Sequence, residues 1–183
     1  MIWKLHKTVV LVGMMGAGKT AVGKALAAKL GVPFLDSDAE IESAANMRIA
    51  EIFERDGEPF FRARESEVIA RLLAGAPCVL STGGGAFLAE RNRTLISERG
   101  VAVCLNASLP LLWSRVRSKD TRPLLQTDDP LATLTALFDA RAPIYETADL
   151  SVQASHHYSI EDMAEQVVDT LLTRPDVLES ENV

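Results

Sequence analysis

A segment of eight residues near the amino terminus has the residue types and spacing of a phosphate-binding loop. Residues 13–20 read GMMGAGKT, which matches the pattern G-x-x-x-x-G-K-[ST]. Glycines in such a loop let backbone N–H groups turn toward an anion. Lys19 would reach the β- and γ-phosphates of a nucleoside triphosphate, and the Thr20 hydroxyl would ligate the Mg²⁺ ion that bridges them. The pattern therefore predicts an ATP-type site with Mg²⁺ as cofactor, formed by Gly13, Gly16, Ala17, Gly18, Lys19 and Thr20.

Two carboxylates follow a short apolar run and form a second candidate group, Asp36 and Asp38. Acids at a helix start often serve as caps, and Ser37 with Glu40 has the S-x-x-E spacing of a capping box. A cap accounts for only one of the two acids, and many phosphate-loop enzymes carry a metal-binding acid at a strand end that corresponds to Ser81 here. We therefore expect Asp36 to hold a Mg²⁺-bound water and Asp38 to contact the hydroxyl group that attacks the γ-phosphate.

Glycines and arginines supply the remaining candidates. Residues 83–85 are three glycines, which form either a plain turn or a close backbone approach to a small polar substrate. Each arginine of the chain could be a solvated surface charge, but a kinase for a carboxylated substrate needs one guanidinium for the carboxylate and one for the phosphoryl group. Arg122 lies in a stretch without periodicity and suits the second task, because a closing lid excludes water. The arginines considered are Arg62, Arg64, Arg117, Arg122 and Arg141.

The elements that must position these residues alternate between strand and helix. Short, continuously apolar runs predict strands at residues 9–12, 33–35, 78–81, 101–105 and 150–152. Helical spacing and caps predict helices at residues 21–30, 39–45, 49–53, 60–73, 91–99, 109–116, 131–141 and 160–172. This alternation predicts an α/β fold with a central five-stranded parallel sheet covered on both faces. The loops that follow the first three strands should converge on one site.

Composition limits the classes of partner. The chain has 183 residues and a formal net charge of −6, and an acidic balance argues against nucleic-acid binding. Apolar stretches fall short of the roughly 20 residues that cross a bilayer, and the first residues lack a signal-peptide core, so we expect a cytoplasmic protein without a membrane partner. Cys78 and Cys104 lie in apolar runs and are expected to be buried free thiols. We expect one domain over residues 1–173 and a disordered acidic tail over residues 174–183.

Taken in order, these motifs resemble the shikimate kinase family from about residue 8 to residue 172. The resemblance rests on the loop GMMGAGKT, on LDSD at residues 35–38, on IAEIF at 49–53 with GE at 57–58 and FR at 61–62, on GGG at 83–85, on RPLL at 122–125 and on RAPIY at 141–145. It implies a three-layer α/β/α phosphate-loop kinase fold with substrate-binding helices over about 37–73 and a mobile lid over about 115–129. It also implies transfer of the ATP γ-phosphate to the 3-hydroxyl of shikimate.

The resemblance also assigns roles to individual residues. Shikimate would be bound by Asp38, Arg62, Arg141 and the glycines Gly83, Gly84 and Gly85, with both arginines on the carboxylate. Lys19 and Arg122 would stabilise phosphoryl charge. Arg117 would lie against the adenine, and Gln153 belongs to a segment similar to the adenine-binding loop of the family.

Several alternatives stay open at this point. Asp38 could remove a proton from the hydroxyl or only orient it. The chain could instead be another small-molecule kinase of the same fold, for gluconate or a nucleoside monophosphate, or a nucleotide-binding switch without turnover. The paired acids, Arg62 and Arg141 favour a carboxylated polyol as acceptor. We expect a monomer that acts on ATP and shikimate.

Overall fold

A five-stranded parallel sheet forms the centre of the protein in the computed structural model, which describes residues 2–117 and 125–181. The strands are β1 Ile2–Leu5, β2 Thr8–Val12, β3 Phe34–Asp36, β4 Val79–Ser81, β5 Gly100–Asn106, β6 Leu150–Gln153 and β7 Leu178–Glu181. The central sheet has the order β3-β4-β2-β5-β6, and its neighbouring strands are parallel. The predicted five strands are confirmed.

Eight helices of the described residues connect and cover these strands. They are α1 Lys19–Leu30, α2 Ser37–Ala45, α3 Ile49–Asp56, α4 Glu58–Ala74, α5 Glu90–Arg99, α6 Leu109–Val116, α7 Pro130–Tyr145 and α8 Ile160–Leu171. Every residue of β2 is buried, as expected of a strand with both faces covered. Helix α1 ends at Gly31, whose φ of 68° is the left-handed conformation that glycine adopts without strain. The α/β class is thus confirmed.

A second, smaller apolar cluster lies away from the sheet, among the helices that follow β3. It consists of Ile41, Ile52, Phe61 and Val68 from α2, α3 and α4. These helices occupy most of the region predicted to bind the acceptor. The cluster fixes them against one another, so the side chains at their amino-terminal ends are held in defined positions.

The expected disorder of residues 174–183 is wrong for the part that the structure describes, up to residue 181. Strand β7 pairs antiparallel with β1 in a separate two-stranded ribbon, and Val177 and Leu178 are completely buried. His6 Nε2 and Glu179 Oε2 lie 2.9 Å apart across the ribbon. The acidic composition concealed the segment, because its two apolar residues and its pairing with β1 supply the ordering.

Four further expectations concern the end of α7, the cysteines, membrane-spanning helices and the lid. Helix α7 continues past Arg141 to Tyr145 although Pro143 lies inside it. Cys78 and Cys104 are free and buried, as predicted. Among residues 2–117 and 125–181, no helix is long and apolar enough to cross a membrane. The central part of the predicted lid, residues 118–124, lies outside the described residues.

Candidate active site

A cavity of about 600 Å³ opens where β2, β3 and β4 end. Its volume falls within the roughly 300–1,000 Å³ typical of small-molecule sites. The loops after the three strands all contribute to it, as the parallel sheet predicts. The residues considered below that line the cavity are Gly16, Ala17, Gly18, Lys19, Thr20, Asp36, Asp38, Ser81, Gly83, Gly84, Arg115 and Tyr158.

The loop after β2 has the shape of an anion cradle. Gly16 and Gly18 have φ values of 83° and 94°, a conformation that a side chain would strain. Helix α1 begins directly afterwards, and its first N–H groups have no side-chain cap, so they point toward the cavity. Lys19 Nζ donates to the carbonyl oxygens of Gly13 at 2.6 Å and Met14 at 3.2 Å. The ammonium group therefore lies against the loop.

Asp36 ends β3 and caps α2. Its Oδ1 accepts hydrogen bonds from the backbone N–H groups of Asp38 at 2.9 Å and Ala39 at 3.1 Å. The expected capping box of Ser37 and Glu40 is therefore wrong: Ser37 is already helical, and its buried Oγ has no hydrogen-bond partner among the described residues. The reason is that β3 runs one residue further than expected, which makes Asp36 the extended residue before the helix.

Asp36 also lies beside Ser81, the strand-end position at which many phosphate-loop enzymes carry a metal-binding acid. In the parallel ladder Asp36 is in register with Ser81 of β4, and Ser81 is in register with Leu11 of β2. The carboxylate is thus displaced by one strand from that position. Among residues 2–117 and 125–181, no group of three or more His, Cys, Asp or Glu side chains could hold a metal. Thr20 and Asp36 line the same cavity and offer the oxygen ligands that Mg²⁺ prefers, and their contact with the ion stays a prediction.

Asp38 follows in the first turn of α2, and the pKa of its carboxyl group is raised. Burial, together with the nearby charges of Asp36, Glu65 and Glu42, raises its pKa from 3.8 to about 6, and Lys19 opposes the shift. An acid whose pKa lies close to neutral pH can both accept and return a proton. At pH 7 the group is mainly ionised.

The triglycine segment is the surface against which the charged side chains lie. A Cβ atom added to Gly83 would lie 2.7 Å from Asp38 Oδ1, and one added to Gly84 would lie 3.3 Å from Arg141 Nη1. A Cβ atom at Gly85 would overlap the Arg62 guanidinium. Each glycine therefore faces a different charged residue, and together they bring Asp38, Arg62 and Arg141 around one short segment.

Arg62 has a buried acidic partner. Arg62 Nη1 donates to Glu65 Oε1 at 2.9 Å, and the Glu65 residue is 1% exposed. Burial raises the pKa of Glu65, while the hydrogen bond and charge of Arg62 lower it. Arg62 Nε also lies 3.5 Å from Glu58 Oε1, so two acids hold the guanidinium in place against Gly85.

Three predicted nucleotide-binding residues do not line the cavity or lie outside the described residues. Arg117 and Gln153 are exposed and do not line the cavity, so their contact with a nucleotide stays a prediction. Arg122 lies outside the described residues. Sequence reasoning missed Arg115, whose Nη1 donates to the Gly16 carbonyl at 2.9 Å. Arg115 follows the buried Leu111 by one helical turn, and this spacing could have indicated that it faces inward.

Tyr158 is a second residue that sequence reasoning missed. It precedes the capping box of α8, formed by Ser159 and Asp162, and is 42% exposed at the cavity. The adjacent His156 and His157 are exposed, as expected for a surface loop. An aromatic ring at the mouth of a phosphate site offers a flat apolar surface for a base. Arg115 and Tyr158 thus line the same cavity as the phosphate loop.

Comparison with known proteins identifies the relatives of this chain. The family model for shikimate kinase matches residues 15–172. A shikimate kinase of Ruegeria pomeroyi is 73% identical over 175 residues, which cover 96% of this chain and 90% of that protein. A shikimate kinase of Cereibacter sphaeroides is 65% identical over 178 residues, which cover 97% of this chain and 89% of the relative.

Comparison with solved structures points to the same family as the sequence relatives. Shikimate kinase from Acinetobacter baumannii, solved in complex with shikimate, superposes with a TM-score of 0.83 at 39% identity and covers 91% of this chain and 93% of that one. A gluconokinase from Sinorhizobium meliloti gives a TM-score of 0.63 at 19% identity over 93% of this chain and 94% of its own, which shows a shared fold only. The resemblance read from the motifs is confirmed, and the chain belongs to the shikimate kinase family.

Proposed function

We propose that the protein transfers the γ-phosphate of ATP to the 3-hydroxyl of shikimate, giving shikimate 3-phosphate and ADP. The observation that carries this proposal is the triglycine segment, which brings Asp38, Arg62 and Arg141 together beside a phosphate loop. One carboxylate and two guanidinium groups suit an acceptor with ring hydroxyls at one end and a carboxylate at the other. Family membership supports the same acceptor.

The phosphate loop would hold the triphosphate of ATP. Backbone N–H groups of the loop and of the α1 amino terminus would contact the phosphates, and Lys19 would move from the Gly13 carbonyl onto the transferring group. Thr20, and Asp36 through water, would hold Mg²⁺, which would supply positive charge to the triphosphate. The two cap bonds of Asp36 use Oδ1, so Oδ2 is the oxygen available for that water.

The acceptor would lie between Asp38 and the two arginines. Arg62 and Arg141 would bind the shikimate carboxylate, and Asp38 would accept a hydrogen bond from the hydroxyl that attacks the phosphorus. The raised pKa of Asp38, about 6, allows the group to take the proton as the bond to phosphorus forms. Catalysis then depends on holding the two reactants in line and on matching the charge of the transition state.

Residues at the nucleotide end extend this assignment. Arg115 bonds to the phosphate loop and Tyr158 lies at the opening, so we place both near the adenine or ribose. Arg122 would stabilise the phosphoryl charge from the lid. We further expect a cytoplasmic monomer that acts on two small molecules and binds neither nucleic acid nor a membrane.

An acceptor comparison tests the proposal. ADP release would be measured with Mg²⁺ and ATP in the presence of shikimate, gluconate or a nucleoside monophosphate. We expect turnover with shikimate alone, while ADP release that is independent of the acceptor would contradict the assignment. Arg141→Ala should raise the KM for shikimate about 10- to 100-fold, because a charged hydrogen bond is lost. Arg99→Ala, which removes an exposed arginine on α5, is the matched control and should leave this KM unchanged.

A further inference from the structure

Tyr145 is a buried residue to which the proposed function gives no role. It is the last residue of α7, and it is 3% exposed. Its ring stacks on Phe87 with a centroid distance of 6.4 Å and an interplanar angle of 19°. Phe87 belongs to the short 3₁₀ turn Ala86–Leu88 that directly follows the triglycine segment. The ring of Tyr145 is therefore packed against the base of the substrate-binding segment.

The Tyr145 hydroxyl bonds to one group of the candidate site and lies near a second. Its Oη donates a hydrogen bond to the carbonyl oxygen of Gly84, the central glycine of the segment. Arg141 lies one helical turn earlier on α7 and therefore on the same face as Tyr145. Burial raises the pKa of the Tyr145 hydroxyl, while the positive charge of the nearby Arg141 lowers that pKa. Arg141 Nη1 in turn lies 3.3 Å from where a Cβ of Gly84 would be.

The direction of the hydrogen bond to Gly84 is fixed by chemistry. A carbonyl oxygen only accepts, so the single proton of the Tyr145 hydroxyl goes to Gly84 and only its lone pairs are left for the nearby Arg141 guanidinium. Arg141 itself lies against Gly84. The Tyr145 oxygen thus fixes the Gly84 peptide and offers Arg141 only an acceptor.

We infer that Tyr145 is a positioning residue for shikimate binding, which orients Arg141 and the Gly84 peptide through its hydroxyl. This inference rests on the proposed function, which assigns Arg141 to the shikimate carboxylate. The Tyr145 hydroxyl bonds to the triglycine segment, and the residue also shares a small pocket with Gly13 and Met14 of the phosphate loop. Because removal of the hydroxyl alone breaks the bond to Gly84 and keeps the ring in place, its effect should appear in the KM for shikimate and not in the KM for ATP.

The test is Tyr145→Phe, which removes the hydroxyl and keeps the ring on Phe87. We expect the KM for shikimate to rise about three- to tenfold, the usual effect of one hydrogen bond. The KM for ATP and kcat should change less than about twofold. Thr147→Val is the matched control, because its hydroxyl also donates to a carbonyl, that of Ile144 at 2.6 Å, but it is exposed and two residues further along. The control should leave the KM for shikimate unchanged.

A purely structural role predicts a different result. It would lower the melting temperature of Tyr145→Phe while the folded enzyme keeps the wild-type KM for shikimate, and this outcome would overturn the inference. A calorimetric titration of the folded variant with shikimate compares its Kd with that of the wild type without turnover. An unchanged Kd for shikimate would also overturn the inference.

A double-mutant cycle addresses the mechanism. If Tyr145 acts through Arg141, Tyr145→Phe should raise the KM for shikimate less in an Arg141→Ala background than in the wild type. Effects that simply multiply would overturn the inference. A wild-type enzyme that does not phosphorylate shikimate would refute the proposed function and the inference together, whereas a normal wild type with an unaffected Tyr145→Phe variant refutes the inference alone.

Discussion

Replacing Asp38 by asparagine should make the folded protein more stable at neutral pH while it abolishes turnover. The carboxyl group is half-buried among other acids, and its pKa is raised from 3.8 to about 6, chiefly by burial. Above pH 6 the folded protein therefore contains a carboxylate in an unfavourable environment. Asparagine has a similar shape and carries no charge, so the substitution removes this unfavourable interaction.

The magnitude and the sign follow from the two pKa values. The difference between 3.8 and about 6 corresponds to about 3 kcal/mol at about 1.4 kcal/mol per pKa unit. Because the group is partly open to the water of the cavity, we expect about 1–2 kcal/mol. The destabilisation is complete above about pH 6, where both states are ionised, and it disappears as the pH falls toward 3.8, where both are protonated.

Urea unfolding of the protein without substrates measures this effect. Asp38→Asn and the wild type would be compared at about pH 7.5 and about pH 4.5, and the advantage of the variant should shrink by more than half at the lower pH. Asp169→Asn, an exposed carboxylate on α8, is the matched control and should change stability by less than about 0.5 kcal/mol. ADP release with shikimate should be abolished in Asp38→Asn only, with ATP binding nearly intact.

Two results would refute this reasoning. If Asp38→Asn is no more stable than the wild type at pH 7.5, the carboxylate is not held in an unfavourable environment. If the variant is more stable by the same amount at both pH values, the gain does not come from ionisation. Retention of wild-type turnover by the variant would refute the role of Asp38 in catalysis.

Three further predictions concern other parts of the molecule. The value of kcat/KM for shikimate should fall on the acid side with an apparent pKa of about 6, as Asp38 becomes protonated; a flat profile would contradict this. Arg115→Ala should raise the KM for ATP about three- to tenfold and more than Arg117→Ala, because only the former side chain bonds to the phosphate loop. Ending the chain after residue 173 should lower the free energy of unfolding by about 3–6 kcal/mol in urea, since Val177 and Leu178 lose their burial; an unchanged midpoint would contradict this.

The parts of the fold that sequence predicts are those with strong local patterns. Strands β2 and β5 are continuously apolar because both of their faces are covered, so a few neighbouring residues reveal them. The phosphate loop combines glycines with Lys19 and Thr20 at fixed spacing, which few other structures require. Once the strands are known to be parallel, the meeting of Asp36 and Asp38 with the phosphate loop follows from topology.

The parts that sequence does not predict depend on single residues or on distant partners. Whether Asp36 or Ser37 caps α2 depends on the one residue at which β3 ends, and both types are good caps. Arg115 and Arg117 lie in the same basic stretch; the spacing of Arg115 from Leu111 indicates the inward face of α6, but the contact with Gly16 depends on a loop 99 positions away. Strand β7 reads LESE, which has no apolar alternation, so only its pairing with β1 reveals it.

The ribbon of β1 and β7 has a consequence for the order of folding. His6, which directly follows β1, contacts Glu179 of β7, and the two residues are separated by 173 positions in the chain. Closing so long a loop from the unfolded state costs entropy that two short strands cannot repay, but the folded sheet between them brings the two segments together in advance. The ribbon must therefore form after the central sheet and open before it. Its backbone amides should exchange with solvent through local opening, at a free energy below that of global unfolding.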